Sequence, residues 1–181
     1  MAKVIKIGLN TKDLNRAIKE IEKYKEDMVK KLDTFRKRLA DELANDAQLG
    51  FDSALMDDLL KGGMRRPDVT VLPPEDNGNV TVVIAKGKDA VFVEFGAGVY
   101  HNGSVGSSPN PLGAELGYTI GSYGKGYGKR EVWGYYTNPN GKTKEEKGLV
   151  LTRGTPASMP MYNAMKSVIA KANTIAREVW K

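Results

Sequence analysis

Residues 10–47 read NTKDLNRAIKEIEKYKEDMVKKLDTFRKRLADELANDA, and the period of their apolar positions decides the fold. Leu14, Ile21, Met28 and Phe35 recur every seven residues. Ile18, Lys25, Leu32 and Leu39 form a second row four positions on, so the two rows make one seam interrupted only at Lys25. This spacing predicts an amphipathic helix over 11–47. Asn10 or Thr11 can cap it, and Asp13 puts an acid in the first turn, where the helix dipole favours one. Glu26–Lys30, Asp27–Lys31 and Asp33–Lys37 stand acid before base four residues apart, which supports a helix from its solvent side. No Pro or Gly falls between Gly8 and Gly50. At 1.5 Å per residue the helix runs roughly 55 Å, against about 40 Å for the diameter of a compact domain of this size. It must therefore bend, break, or overhang onto another subunit. A seam of so few heptads can serve either a core or an oligomeric contact.

Downstream, residues 51–66 predict a second short helix with Leu55, Leu59 and Leu60 on one face, ended by Gly62-Gly63. The period then changes. Val69 to Leu72 reads as a strand stopped by Pro73-Pro74, and Asn77-Gly78 is a tight-turn dipeptide before a strand from Val80 to Ala85. Ala90-Val91-Phe92-Val93-Glu94-Phe95 reads as a third strand, closed by Gly96 and Gly98, so that 67–98 forms an antiparallel meander with one face on the long helix. Residues 99–130 are a long Gly/Tyr-rich loop insertion without periodicity, too long for a casual connector. Val132 to Thr137 and Leu149 to Thr152 predict a hairpin within 131–154 around Asn138-Pro139-Asn140-Gly141. Ser158 and Pro160 open a C-terminal helix within 155–181, with an apolar face of Met161, Met165, Val168, Ala172, Ile175 and Val179. The expected architecture is one α+β domain over 1–181: residues 1–66 helical, then the strands, and a final helix packed on an antiparallel sheet.

Composition narrows the function classes. A chain of 181 residues can bury a core without staples, and 40% hydrophobic with 28% charged residues argues against wholesale disorder. No run approaches the ~18 apolar residues of a membrane span, and the N-terminus lacks a signal-peptide core. With no cysteine there is no disulfide framework, thiolate nucleophile or cysteine zinc site. Folding in a cytoplasm is the default. The net charge of +6 is carried largely by the C-terminal segment 149–181, without the dense Lys/Arg run that phosphate binding usually displays. Mild basicity on a solvated surface accounts for it.

Catalytic signals are weak. The one histidine, His101, falls in the loop with no second His at metal-ligand spacing. Asp57-Asp58 and Glu145-Glu146 are adjacent pairs that point apart or into solvent, not a general acid and base. Gly124-Lys125-Gly126-Tyr127-Gly128-Lys129 lacks the spacing of a Walker loop and the strand and helix that flank a dinucleotide turn. No catalytic, metal or cofactor residue is therefore expected, and no enzyme. Aromatic placement says more: six of the eight tyrosines lie between residues 100 and 136. Tyr118, Tyr123 and Tyr127 on a Gly/Ser/Asn background have the chemistry of an adaptable binding loop. With Lys125, Lys129 and Arg130 as phosphate contacts, the same loop would stack nucleic-acid bases. Aromatics packing on their own domain is the third reading.

Two stretches carry a resemblance. Ala90-Val91-Phe92-Val93-Glu94-Phe95-Gly96-Ala97-Gly98 is similar to an aliphatic strand running into Glu-aromatic-Gly. Thr152-Arg153-Gly154-Thr155-Pro156-Ala157-Ser158-Met159-Pro160-Met161 is similar to a Pro-Ala-x-x-Pro-apolar entry to a last helix. With the long opening helix before them, the chain resembles the small tail-completion, or head–tail joining, proteins of the neck of long-tailed bacteriophages and prophages. The resemblance implies a non-catalytic virion protein, assembled in the host cytoplasm into a homo-oligomeric, hexameric ring. Its implied partners are the head-connector or head-completion proteins and the tail terminator or tail tube, with incidental contact with packaged DNA and none with membrane. Within that frame Val91, Val93 and Phe95 share one strand face and Glu94 the other. Glu94, at a strand end, is then either met by a partner's donor or left as a solvated edge carboxylate. Glu94, Tyr118, Tyr123, Tyr127, Lys125, Lys129 and Arg130 make up the candidate partner interface. A nucleic-acid-binding module using the Tyr/Lys/Gly loop is the alternative.

Overall fold

The computed structural model describes residues 8, 10–60, 68–98, 110–113, 115–116, 133–137, 148–152, 154–155 and 157–181. For residues 55–60, 97–98, 133–137, 148–152 and 154–155 it describes the backbone course alone. The expected helix is present and longer than its periodicity required: α1 spans Thr11–Leu60, 50 residues without a break. At 1.5 Å per residue that is about 75 Å. Asn10 caps it, its Oδ1 accepting from the Asp13 backbone N–H at 2.8 Å while its Nδ2 donates to the Asp13 carboxylate at 2.8 Å. The second short helix expected over 51–66 is a continuation of the first, at least to Leu60. Gly50 does not end it, because a lone helical glycine costs only about 1 kcal/mol, and here it relieves a close crossing. A Cβ at Gly50 would meet the Pro160 ring carbon at 2.8 Å.

That crossing is where α3, Pro160–Val179, begins to run back along α1. Contacts from one end to the other show an antiparallel pair. The Ser167 hydroxyl donates to Asp46 at 2.7 Å, Lys171 bridges Glu42 and Asp46 at 3.1 and 3.0 Å, and Arg38 reaches Glu178 at 2.7 Å. Trp180 closes the row edge-on against Phe35, with ring centroids 5.5 Å apart. The Ser167 hydroxyl and the Lys171 ammonium hold the Asp46 carboxyl below its ordinary value, and Asp46 with Glu42 in turn raises Lys171.

The other side of α1 covers the β region. β1 (Thr70–Val71) pairs antiparallel with β4 (Ala85–Lys86), and β2 (Glu75–Asp76) with β3 (Thr81–Val82). Between β2 and β3 the Asn77 N–H bonds the Val80 carbonyl, so Gly78-Asn79 is the turn centre, and Gly78 takes the positive φ of 77° that the turn requires. Arg36 fixes this hairpin to α1 through Asp76 and the Gly78 carbonyl, beside its own Asp33. Phe51, 2% exposed, packs with Val69, Ala90 and Val93 as a small core, flanked by Val71, Ala85 and Met161.

The third expected strand is not one. Ala90–Phe95 forms a six-residue helix, α2, closed by Gly96 at φ 80°. Its β-branched and aromatic content argues for a strand, but tertiary burial overrides that preference. The buried residues are Ala90, Val93 and Glu94, the i, i+3, i+4 face of a helix turn. The meander is therefore replaced by short antiparallel ladders. β5 (Ala97–Gly98) pairs with β8 (Gly154–Thr155), which ties the end of α2 to the approach to α3. β6 (Trp133–Thr137) pairs with β7 (Gly148–Thr152), with Tyr135 opposite Val150. The class is broadly α+β, with helices carrying more of the framework and sheets less than the sequence suggested.

Candidate functional site

Two features stand out from this framework, one internal and one on the surface. The internal one is Glu94. α3 starts with Pro160 at its first position, as read from the sequence, but its N-cap residue is Met159, which supplies no side-chain acceptor. Met159 takes the left-handed conformation, φ 54°, the one non-glycine residue with positive φ among the described residues. The exposed N–H groups of the first turn are met from α2 instead. Glu94 Oε2 accepts from the Met161 N–H at 2.8 Å, and Oε1 accepts from the Tyr162 N–H at 3.1 Å. Asn110 Nδ2 donates to Oε1 at 2.8 Å, while Asn110 Oδ1 accepts the Leu112 N–H at 3.0 Å.

A carboxylate at a helix N-terminus is favoured by the dipole and by its bonds. Glu94 is only 7% exposed, however. Burial pushes its carboxyl above the ordinary value, against the three hydrogen bonds that pull it down. The edge-of-strand picture is thus corrected: Glu94 is on a helix, it is buried, and its donors are supplied by this chain. The reason is geometric. In a strand Val93 and Glu94 would face opposite ways, whereas in a helix both face inward, Val93 to Phe51 and Glu94 to α3. The Ser158 N–H donating to the Val93 carbonyl at 2.8 Å locks the same junction from the backbone.

The surface feature is the first half of α1. The stripe that α3 covers from Phe35 to Gly50 continues uncovered toward the N-terminus. Ile18 is 53% exposed and Leu32 52%, and Leu14 and Ile21 are similar. Tyr24 and Val29 flank the stripe and are exposed too. Of the expected seam, Met28, Phe35 and Leu39 are half-buried. Between Thr11 and Leu39 the one buried residue is Ala17. The seam read as core is core only beyond Phe35, because α3 ends there. Of the three expected ion pairs on α1, Asp27–Lys31 forms at 3.6 Å and Asp33–Lys37 at 2.8 Å, and Glu26–Lys30 does not. On α3, Met165 and Ile169, the latter 66% exposed, lie off the buried line of Pro160, Ala164, Val168 and Ile175. Met165, read as inward-facing, faces out instead.

Tyr118, Tyr123, Tyr127, Lys125, Lys129, Arg130 and His101 lie outside the described residues. Among the described residues no group of three or more His, Cys, Asp or Glu is placed to hold a metal ion, and no helix is long and apolar enough to cross a membrane. The sequence left open whether the α1 seam serves a core or an oligomeric contact, and helix length was the signal that one compact domain could not cover all of it. A helix far longer than the domain's diameter cannot be covered along its whole course by a partner helix of 20 residues. Comparison with models of protein families, with curated proteins and with solved structures gives no match.

Proposed function

We propose that this chain is a non-catalytic assembly subunit, and specifically a ring-forming neck protein that joins head to tail in a long-tailed phage. The observation that carries the first part is the uncovered half of α1. Hydrophobic patches larger than a few side chains mark interaction surfaces in soluble proteins, and Leu14, Ile18, Ile21, Val29 and Leu32 share about 27 Å of one helix. The second part rests on the resemblance of residues 90–98 and 152–161 to the joining proteins, which for the first stretch is now a likeness of sequence alone, since Ala90–Phe95 is a helix and not a strand. Support also comes from what those two stretches do: Glu94 of the first anchors the helix that the second begins.

The test is genetic and visual. Deleting the gene from the phage or prophage that encodes the chain should leave filled heads and finished tails that fail to join, and supplying the chain in trans should restore virions. Normal virions from the deletion would overturn the neck reading. The nucleic-acid alternative predicts instead that the wild-type protein binds oligonucleotides with a steep salt dependence, lost when Lys125, Lys129 and Arg130 become Gln.

A further inference from the structure

We propose that Glu94 is a proton-operated latch: ionised, it holds the Asn110–Gly113 turn closed against the α2–α3 joint, and protonated, it opens that turn while leaving α3 in place. Among the described residues every partner of the Glu94 carboxylate is a donor. The Met161 N–H is on Oε2, and the Tyr162 N–H and Asn110 Nδ2 are on Oε1. Glu94 and Asn110 are both buried, so a change in one bond must be answered by another group of the joint rather than by bulk water.

Asn110 is the moving part. Its amide is engaged at both ends: Nδ2 donates to Glu94 at 2.8 Å, and Oδ1 accepts the Leu112 N–H at 3.0 Å. Its carbonyl accepts the Gly113 N–H at 2.8 Å, which closes the turn. A carboxylate only accepts, and that fixes which way the amide points. A protonated carboxyl carries a hydrogen that needs an acceptor. The N–H groups of Met161 and Tyr162 are set by the helix and cannot become one. Asn110 can, by turning its amide over. Its Oδ1 then accepts from the Glu94 hydroxyl, and its Nδ2 faces the Leu112 N–H, donor against donor. A proton taken from solvent by Glu94 is thus passed on as a bond lost at Leu112. The Met161 and Tyr162 bonds keep lone pairs to go to, so the start of α3 stays anchored.

Linkage gives the same sign. Burial raises the Glu94 value, and it outweighs the hydrogen bonds, so the switching point lies above the ordinary carboxyl range. The Asn110 bond is one of the contacts that lower the value. By reciprocity the proton must weaken the hold on Asn110. The titratable groups on the elements around the joint are Tyr162 and Lys166 on α3, Asp46 and Asp52 on α1, and Asp68 ahead of β1. Lys88 and Asp89 stand ahead of α2, and Glu115 beyond the turn. None of them is a cause of the Glu94 shift, which comes from burial and the three bonds alone. The latch therefore answers to one carboxyl.

The experiment is a pH titration of the full-length, isotope-labelled protein by NMR. It follows the Glu94 carboxyl carbon, the Asn110 side-chain NH2 and hydrogen exchange at the Leu112 amide. In wild type all three should change together at one midpoint above the ordinary carboxyl range. Leu112 protection, corrected for its intrinsic exchange rate, should fall about tenfold toward acid, with helical circular dichroism unchanged. In Glu94→Gln, which offers Asn110 an acceptor at every pH, Leu112 protection should not respond to pH. Asn110→Ala removes the moving part and keeps the carboxyl. It should leave Leu112 unprotected throughout and move the Glu94 midpoint upward. Leu112 protection that holds while Glu94 titrates, an equal acid response in Glu94→Gln, or a Glu94 midpoint that falls in Asn110→Ala would each overturn the latch. Loss of helical signal at the Glu94 midpoint would overturn it too, since the proton would then free α3 and not the turn.

Discussion

Replacing Glu94 by Gln tests the joint between α2 and α3 with almost no change of shape. The carboxylate takes three donors on two oxygens: Asn110 Nδ2 and Tyr162 N on Oε1, Met161 N on Oε2. A glutamine amide best keeps its oxygen where two donors converge, which turns its NH2 toward the Met161 N–H. One buried backbone donor then loses its acceptor and faces another donor, at a cost of about 1–3 kcal/mol. Loss of the negative charge beside the helix N-terminus adds about 0.3–1 kcal/mol, and relief of burying that charge offsets part of the total. The expected net is a loss of roughly 1–3 kcal/mol at neutral pH, and Glu94→Ala, which orphans all three donors, should lose more. Urea unfolding followed by helical circular dichroism measures it.

The pH dependence carries a second check on the same residue. Because burial raises the folded Glu94 value, its contribution is fully present below the unfolded carboxyl range and is lost as pH rises through the folded value. The deficit of the Gln variant should therefore be larger in mild acid than at neutral pH. A Gln variant within ~0.5 kcal/mol of wild type, inside the spread of ordinary surface changes, would refute the claim that Glu94 holds α3. A deficit that grows as pH rises would mean that the hydrogen bonds outweigh burial.

Three further outcomes follow from the same structure. Phe51→Ala should cost about 3–5 kcal/mol and Leu32→Ala well under 1 kcal/mol in the free subunit, since one is enclosed and the other half in water; equal losses in urea unfolding would contradict the uncovered seam. Gly50→Ala should destabilise by about 1–3 kcal/mol despite the better helix propensity of Ala, because its Cβ meets Pro160; a gain in melting temperature would mean the helices part there at little cost. Asp46 behaves oppositely to Glu94. Its lowered value makes its contribution present above the unfolded carboxyl range and lost as pH falls through the folded value, so the melting difference between wild type and Asp46→Asn should vanish in acid.

Local signals were legible wherever one principle acted alone. The α1 period, the Asn10 cap, Gly78 in its turn and Pro160 at the start of α3 all follow from backbone geometry that the residue itself imposes. Ala90–Phe95 was misread because two principles conflicted. β-branched and aromatic content favoured a strand, and the need to turn Ala90, Val93 and Glu94 to one side favoured a helix. Nothing in six residues could say that Phe51 would wait on one side and the amino end of α3 on the other.

What the sequence by itself determined is therefore the presence of the two long helices, since the periodicity and start signals of α1 and α3 are written within each segment. Tertiary structure alone decided which stretch of an apolar seam is core. Leu32 and Leu39 belong to one row with the same chemistry, yet the first is half in water and the second half-buried. The difference between them is that α3 reaches back as far as Phe35 and stops. Burial is a property of what comes to lie beside a residue, and that depends on the length and docking of another element more than a hundred residues away.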